Sequence, residues 1–182
     1  MAFLLLKDLP SYDCLLEAAK TFPDLDPSAC EVHLHLLRCG DLAANVGSSY
    51  LQRCNLSPGR FSVLMLLANK CSGGEGPSAR TPAELADMAG VTRATMTGLI
   101  DTLERDGMVT RQPDPADRRM MSVAITEKGI EHLTTILPEH FRRMAALMSP
   151  LGETERRTLV RLLGKIMQQA AIIEPPAPVS VV

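Results

Sequence analysis

The spacing of apolar residues changes twice between positions 81 and 129. From Thr81 to Asp106 they recur every three or four residues, which predicts two short helices with a turn at 89–91 between them. Strand-like runs follow at 108–112 and 119–125, and the prolines and aspartates at 113–117 predict a turn that joins them. The chain therefore contains two helices followed directly by a β-hairpin.

Capping residues mark the ends of both helices. Thr81 is the predicted N-cap of the first, with Pro82 at the first helical position and Glu84 placed for a capping box. Gly90 suits the left-handed conformation that ends a helix, and Thr92 is the predicted N-cap of the second helix. These signals favour a helix-turn-helix whose second helix runs to about position 106.

The second helix has an apolar face and a face of small polar residues. The apolar face consists of Val91, Met96, Leu99, Ile100 and Leu103. The polar face suits close approach to base edges and phosphates in the major groove of DNA. Its candidate DNA contacts are Thr92, Arg93, Thr95, Thr97 and Gly98. A solvated surface is the alternative interpretation, because Ser and Thr are also ordinary cap and surface residues.

The predicted hairpin carries arginines beside aspartates. Its candidate DNA contacts are Arg111, Asp117, Arg118 and Arg119. An arginine on such a wing reaches the minor groove or a phosphate, and a neighbouring aspartate holds its guanidinium in place by a bidentate pair. An intramolecular salt bridge at the surface is the alternative, and the two roles are compatible.

This stretch resembles the MarR (multiple antibiotic resistance regulator) family of bacterial transcription factors. The resemblance rests on TPAELA at 81–86, VTRATMTGLIDTLERDGMV at 91–109 and the wing residues at 117–119, and it extends from about residue 26 to about residue 173. It implies a mainly α-helical fold with a small β-hairpin wing, in which a winged helix-turn-helix joins an interlocked helical dimerisation domain. It also implies a homodimer on double-stranded DNA and a small organic effector, typically a phenolic or aromatic carboxylate.

The remaining sequence predicts helices around this unit. A helix is expected at 12–21, and another from Pro27 to about Cys54 is apolar in nearly every direction, which indicates burial against a second subunit. Helices are also predicted from 127 or 128 to 147, with a kink at Pro138, and from 153 to about 173. The predicted division is an N-terminal arm (1–25), a dimerisation domain (26–56 and 127–173), a DNA-binding domain (57–126) and a disordered tail (174–182).

Composition supports the helical fold but not an obvious affinity for DNA. With 46% hydrophobic residues, few aromatics and no Trp, the core must be aliphatic, which favours a helical bundle. The net charge is −2, and between Thr81 and Gly129 six Lys or Arg stand against eight Asp or Glu. DNA binding therefore depends on where the arginines are placed, because phosphates need only a basic docking surface.

No signal peptide or membrane span is evident, so we expect a cytoplasmic protein without membrane contact. The five cysteines form no CxxC pair. Cys14 and Cys30 are the candidates for a redox switch, since a helix N-terminus activates a thiol. Cys30 with His33, and His35 with Cys39, have metal-ligand spacing, but the two pairs face nearly opposite directions on one helix. No metal or cofactor is expected.

The function that follows is a dimeric transcription regulator, expected to be a repressor on a pseudo-palindromic operator. The residues suggested for effector binding are His33, His35, Arg38, Arg53 and Arg60. An enzyme is not expected, because the sequence contains no nucleophile elbow, HExxH, GK[ST] or Rossmann fingerprint. Two alternatives stay open. One is a winged-helix interaction module that does not bind DNA, suggested by the acidic balance and by Pro115-Ala116 at the wing tip; the other is a cysteine-based redox regulator.

Overall fold

The computed structural model describes residues 8–68, 77–113 and 120–173. It is mainly helical, with one antiparallel pair of strands. The elements are α1 (Tyr12–Thr21), α2 (Pro27–Arg53), α3 (Pro58–Leu67), α4 (Pro82–Ala89), α5 (Arg93–Arg105), β1 (Val109–Pro113), β2 (Met121–Ile125), α6 (Glu127–Leu147) and α7 (Glu153–Ile173).

The predicted caps of the helix-turn-helix are confirmed. Thr81 and Glu84 form the reciprocal capping box at the start of α4, and Gly90 ends this helix at φ 63°. The Thr92 side chain accepts a hydrogen bond from the Thr95 N–H at the start of α5. One assignment was wrong, because Val91 belongs to the turn and is 38% exposed, so it does not continue the buried face of α5.

A Schellman motif ends α5 and fixes where the wing begins. Gly107 adopts φ 71°, its N–H donates to the Glu104 carbonyl, and the Met108 N–H donates to the Leu103 carbonyl at 2.9 Å. Since this N–H closes the helix, β1 begins at Val109 and not at Met108 as the sequence predicted.

The hairpin pairs Val109 with Ile125 and Pro113 with Met121. Pro113, predicted to lie in the turn, is instead the last residue of β1, where its missing N–H costs no internal ladder bond. The outer edge of β2 forms one further bridge, from Val123 to Arg80. The predicted wing-tip residues 114–119, including Asp117, Arg118 and Arg119, lie outside the described residues.

One aliphatic core joins the helix-turn-helix to the hairpin and to its neighbouring helices. Its most deeply buried residues come from α3, α4, α5 and β2, and α6 adds Leu133 and Ile136. They include Val63, Leu64, Leu67, Leu85, Met96, Ile100, Leu103 and Val123. Thus α3 forms the scaffold beneath α4, α5 and the hairpin.

The predicted boundaries of α2 are also confirmed. Asp26 caps its start ahead of Pro27, and Asn55, at φ 56°, follows its end. Within the single chain part of its apolar surface stays uncovered, with Val32 57% and Leu42 51% exposed. The described helices include none with the length and apolarity needed to cross a membrane.

The chain divides into two compact units within α6, after Arg143. The second unit contains α7, which spans Glu153–Ile173 as predicted. No residue of α7, all of which is described, is buried in the single chain. Its apolar stripe is therefore open, with Leu159, Leu162 and Ile166 each about two-fifths exposed. The predicted domain partition and the kink at Pro138 stay predictions.

Gly129→Ala is expected to destabilise the protein by about 1–3 kcal/mol, the typical cost of overpacking. A Cβ there would lie 2.3 Å from the Met108 carbonyl oxygen and 2.8 Å from Cγ1 of Ile125. Urea unfolding measures the loss. Gly98→Ala is the matched control, since no atom lies within 4 Å of its Cβ position. It should leave the protein as stable or up to about 1 kcal/mol more stable. Unchanged stability of Gly129→Ala would contradict this close approach of α6 to Met108 and Ile125.

Candidate nucleic-acid interface

The two faces of α5 differ sharply in burial. Met96, Ile100 and Leu103 are fully buried against the core. The opposite face is exposed, and by helical spacing its centre line is Ala94, Gly98, Asp101 and Arg105. The residues nearest the start of the helix on this face are small, so the helix backbone itself is accessible there.

No contact within the described part of the chain requires glycine at position 98. A Cβ at this position would meet nothing within 4 Å, whereas one at Gly59 would lie 3.1 Å from the Leu99 side chain. Glycine in the middle of a helix is unfavourable by about 0.5–1 kcal/mol relative to alanine. The notch at Gly98 therefore suits an external surface that approaches the helix backbone. Ala94, one turn earlier, lines the same notch, and its i, i+4 spacing to Gly98 was the sequence signal that would have identified it.

Two predicted contacts form a hydroxyl pair at the start of α5. The Oγ1 atoms of Thr92 and Thr95 lie 2.9 Å apart, and Thr92 Oγ1 also accepts the Thr95 N–H at 3.2 Å. One hydroxyl hydrogen is used between the two oxygens, so the other remains able to donate. The pair thus presents a donor beside the N–H groups at the positive end of the helix.

Thr97 lies on the other flank of the exposed face. Its hydroxyl donates to the Arg93 carbonyl at 2.9 Å, a bond that many helical threonines make. Arg93 itself is exposed in the first turn of α5. Thr92, Arg93, Thr95, Thr97 and Gly98 therefore all lie on one accessible end of α5, as the sequence predicted.

Arg111 ties the wing to α5. Its Nη2 lies 2.5 Å from the Asp101 carboxylate, its Nη1 pairs with Glu104, and its backbone N–H donates to Glu104 Oε1 at 3.1 Å. The hydrogen bond to Asp101 is the largest of the effects that raise the pKa of Arg111 above its ordinary value. Both terminal nitrogens are thus occupied by carboxylates of α5. Whether Arg111 also contacts DNA stays a prediction.

The carboxylates at the end of α5 are therefore not free negative charges. Arg60 of α3 pairs with the Asp106 side chain, and its Nη1 also donates to the Asn55 carbonyl at 3.3 Å. The Lys128 ammonium donates to the Asp106 carbonyl at 2.7 Å. Arg60 lies outside the segment 81–129, so its pairing with Asp106 offsets one acidic charge that the composition of the segment alone leaves uncompensated.

The five residues suggested for effector binding do not come together within one subunit. His33 and Arg53 are twenty residues apart on the continuous helix α2, which separates them by about 30 Å. His35 Nδ1 lies 2.8 Å from the Glu31 carbonyl, and Arg60 is engaged with Asp106. A single pocket lined by His33, His35, Arg38, Arg53 and Arg60 of one chain is therefore excluded.

Polar and aromatic groups that the sequence did not single out meet where α2, α3 and α6 join. Tyr50 donates to the Ile136 carbonyl at 3.2 Å, and the Arg143 guanidinium lies 5.0 Å from the centre of its ring. Burial, followed by a hydrogen bond to Cys54, raises the pKa of Tyr50. The His140 ring lies 4.8 Å from that of Phe61, between centroids, and burial lowers the pKa of His140.

The cysteines give no further support to a metal or redox site. Cys14 is exposed on α1 and Cys30 is half-buried in the first turn of α2; both are free thiols, as are Cys39 and Cys54. Among the residues described, no three His, Cys, Asp or Glu side chains are grouped so as to hold a metal ion. The redox role of Cys14 and Cys30 stays a prediction.

Comparison with known proteins identifies the family. The MarR family model matches residues 56–121. The HTH-type transcriptional repressor YetL of Bacillus subtilis is 33% identical over 169 residues, which cover 93% of this chain and 98% of YetL. The chain belongs to the MarR family. It is a DNA-binding transcription regulator and not an enzyme.

Solved structures of other MarR-like proteins share the fold. A mutant of MarR from E. coli, complexed with operator DNA, matches with a TM-score of 0.64 at 23% identity, over 79% of this chain and 98% of that one. BpsR of Bordetella bronchiseptica, described with regulation of its DNA binding by 6-hydroxynicotinic acid, matches with a TM-score of 0.61 at 23% identity, over 75% and 98%. At these identities the matches establish the winged-helix fold alone.

Arg111→Ala is expected to weaken DNA binding without reducing its salt dependence, because Arg111 holds β1 against α5. The measurement is affinity for DNA across a salt series, beside the wild type. Arg111→Lys keeps the charge but cannot span two carboxylates, so it should behave like Ala. If Arg111→Ala instead lowered the salt slope by about one unit per subunit, Arg111 would be a phosphate contact.

Proposed function

We propose that this MarR-family protein is a homodimeric repressor that places the N-terminal half of α5 in the major groove at each half of a pseudo-palindromic operator. The observation that carries the proposal is the exposed notch at Ala94 and Gly98, beside the predicted contacts of the first two turns. Small side chains on the outer face of a helix allow its backbone to approach base edges closely.

The start of α5 is suited to phosphate binding. Its free N–H groups and the positive end of its dipole favour an anion, and the Thr92–Thr95 pair keeps one hydroxyl donor. Arg93 adds a cation in the first turn. These groups would fix the register of the helix on the duplex, which is the usual role of phosphate contacts.

The wing is the second element of the proposed interface. Asp117, Arg118 and Arg119 follow β1 in the chain, and we propose that they lie at the flanking minor groove or the DNA backbone. The orientation of the hairpin depends on the bonds of Arg111 to Asp101 and Glu104. These bonds couple the wing to α5, so that both parts meet the duplex in one geometry.

The uncovered apolar surfaces and the habit of the MarR family both support the proposed dimer. Members of this family bind operator DNA as dimers. In the single chain, α2, α6 and α7 expose large apolar side chains, which a partner subunit would cover. They include Val32, Leu42, Phe141, Met144, Leu159, Leu162 and Ile166. Two copies of α5 would then read two half-sites spaced by about one helical turn.

Repression and its release are the finer part of the proposal. YetL is named a repressor, and DNA binding by BpsR is described as regulated by 6-hydroxynicotinic acid. A small phenolic or aromatic carboxylate effector, bound near the junction of α2, α3 and α6, would change the spacing of the two α5 helices and release the operator. The cytoplasmic location stays a prediction.

A size series at Gly98 tests the docking of α5. Gly98→Ala and Gly98→Leu should keep or raise the stability of the fold, since both residues favour helices more than glycine does. Affinity for the DNA upstream of the gene should fall with side-chain size, by about tenfold or more for Leu, the cost of a steric clash at a packed interface. Binding is measured by fluorescence anisotropy, and stability by thermal unfolding. Unchanged DNA affinity across the Gly98 series would exclude this face of α5 from the interface.

Two further measurements separate the proposal from the interaction module and from the redox regulator. Absence of salt-dependent DNA binding by the wild type would favour an interaction module instead. If DNA affinity changed on peroxide treatment and this change were lost in Cys14→Ser or Cys30→Ser, the signal would be oxidation rather than an effector.

A further inference from the structure

The part of the exposed face of α5 formed by Ala94, Thr97 and Gly98 carries almost no hydrogen-bond donors. Ala94 offers a methyl group and Gly98 no side chain at all. The Thr97 hydroxyl hydrogen is already used, because it donates to the Arg93 carbonyl at 2.9 Å. Thr97 therefore offers an approaching ligand its γ-methyl group and a lone pair on its oxygen.

The hydroxyl pair at the start of the helix differs in this respect. Thr92 and Thr95 share one hydrogen between their oxygens and keep the other. A remaining donor suits a phosphate oxygen, which is an acceptor only. Ala94, on the exposed face of the same turn, and Thr97 and Gly98, in the next turn, suit a surface of methyl groups and donors. The structure thus separates a phosphate-binding end from a base-reading section.

The four base pairs present different groups to such a section in the major groove. Guanine displays the acceptors N7 and O6, which require donors from the protein. Thymine displays a 5-methyl group, and adenine, its partner, displays an N6 amino donor. A G·C pair offers one donor but no methyl group. Methyl groups together with a single acceptor therefore match an A·T pair better than a G·C pair.

We infer that Ala94 and Thr97 are specificity-determining residues that read thymine 5-methyl groups, so that the positions they contact in each half-site are A·T pairs. The inference rests on the proposed docking of α5 in the major groove. Gly98 contributes by letting the helix backbone approach closely enough for two short side chains to touch the bases. Recognition of guanine, where the operator has it, needs donors that positions 94, 97 and 98 do not offer.

Thymine-to-uracil replacement tests the inference directly, because uracil pairs like thymine and lacks only the 5-methyl group. Sites are first selected from random DNA with the wild-type protein, and each thymine of the selected half-site is then replaced in turn. At one or two positions per half-site the replacement should lower affinity about fourfold, the value of one buried methyl group. Thymines outside the α5 footprint should be insensitive.

Variants of Thr97 assign the effect to a side chain. Thr97→Ser keeps the hydroxyl and loses the methyl group. At the base pair that Thr97 contacts, this variant should therefore bind DNA with thymine and DNA with uracil equally. Thr97→Val keeps a methyl group and should stay sensitive to uracil. Thr134→Ser is the matched control: the Thr134 hydroxyl on α6 likewise donates to a carbonyl four residues back, that of Ile130, at 2.8 Å. This control should behave like the wild type.

The results distinguish failure of the inference from failure of the proposed function. Binding could be specific and salt-dependent and yet show no uracil-sensitive position, or only G·C pairs in the α5 footprint. Either result would overturn the reading of methyl groups, while the proposed docking of α5 on DNA would stand. Uracil sensitivity that persists in Thr97→Ser and is lost in Ala94→Gly would assign the methyl reading to Ala94 and overturn the role of Thr97. If no sequence were enriched and binding were absent at low salt, both would be wrong.

Discussion

The fixation of the C-terminal end of α5 is the constraint on which the candidate interface depends. Groups from three elements meet there: Arg60 of α3 on the Asp106 side chain, Lys128 of α6 on the Asp106 carbonyl, and Arg111 of β1 on Asp101 and Glu104. The Thr126 hydroxyl adds a hydrogen bond to the Gly107 carbonyl at 2.8 Å. With one end of α5 held by scaffold, wing and α6, its other end is exposed in a defined orientation.

The same contacts pair the acidic side chains at the end of α5. A net charge of −2 describes the composition and not the docking surface. Asp101, Glu104 and Asp106 each pair with an arginine that comes from another element. Individually, such partly exposed pairs contribute little to stability. Their larger consequence is positional, because they link α3 and the wing to α5.

Local sequence signals predicted most of the fold. The predicted caps at Thr81 and Thr92, and the left-handed Gly90, define helix ends by short-range hydrogen bonds, which depend only on neighbouring residues. The start of β1 was misplaced by one residue for the same local reason. The N–H of Met108 closes the Schellman motif and cannot also begin the strand ladder.

The site was predicted less completely, because its main contacts are tertiary. The partners of Arg111 lie seven and ten residues back on α5, and Arg60 lies 46 residues from Asp106, so neither pair follows from local spacing. The residues suggested for an effector were chosen by type, and the length of α2 separates them. The exposed face of α5 was predicted better, because helical periodicity alone defines it, while its contacts with DNA stay predictions.

Salt dependence of DNA binding in Arg93→Ala is the most direct test of the central claim that the start of α5 meets the DNA backbone. Arg157→Ala is the matched control, since Arg157 is an exposed arginine paired with Glu153 on α7. Weaker binding with a salt slope lower by about one unit per subunit in Arg93→Ala, and wild-type behaviour in Arg157→Ala, is the predicted result. Equal slopes and affinities in all three proteins would contradict it.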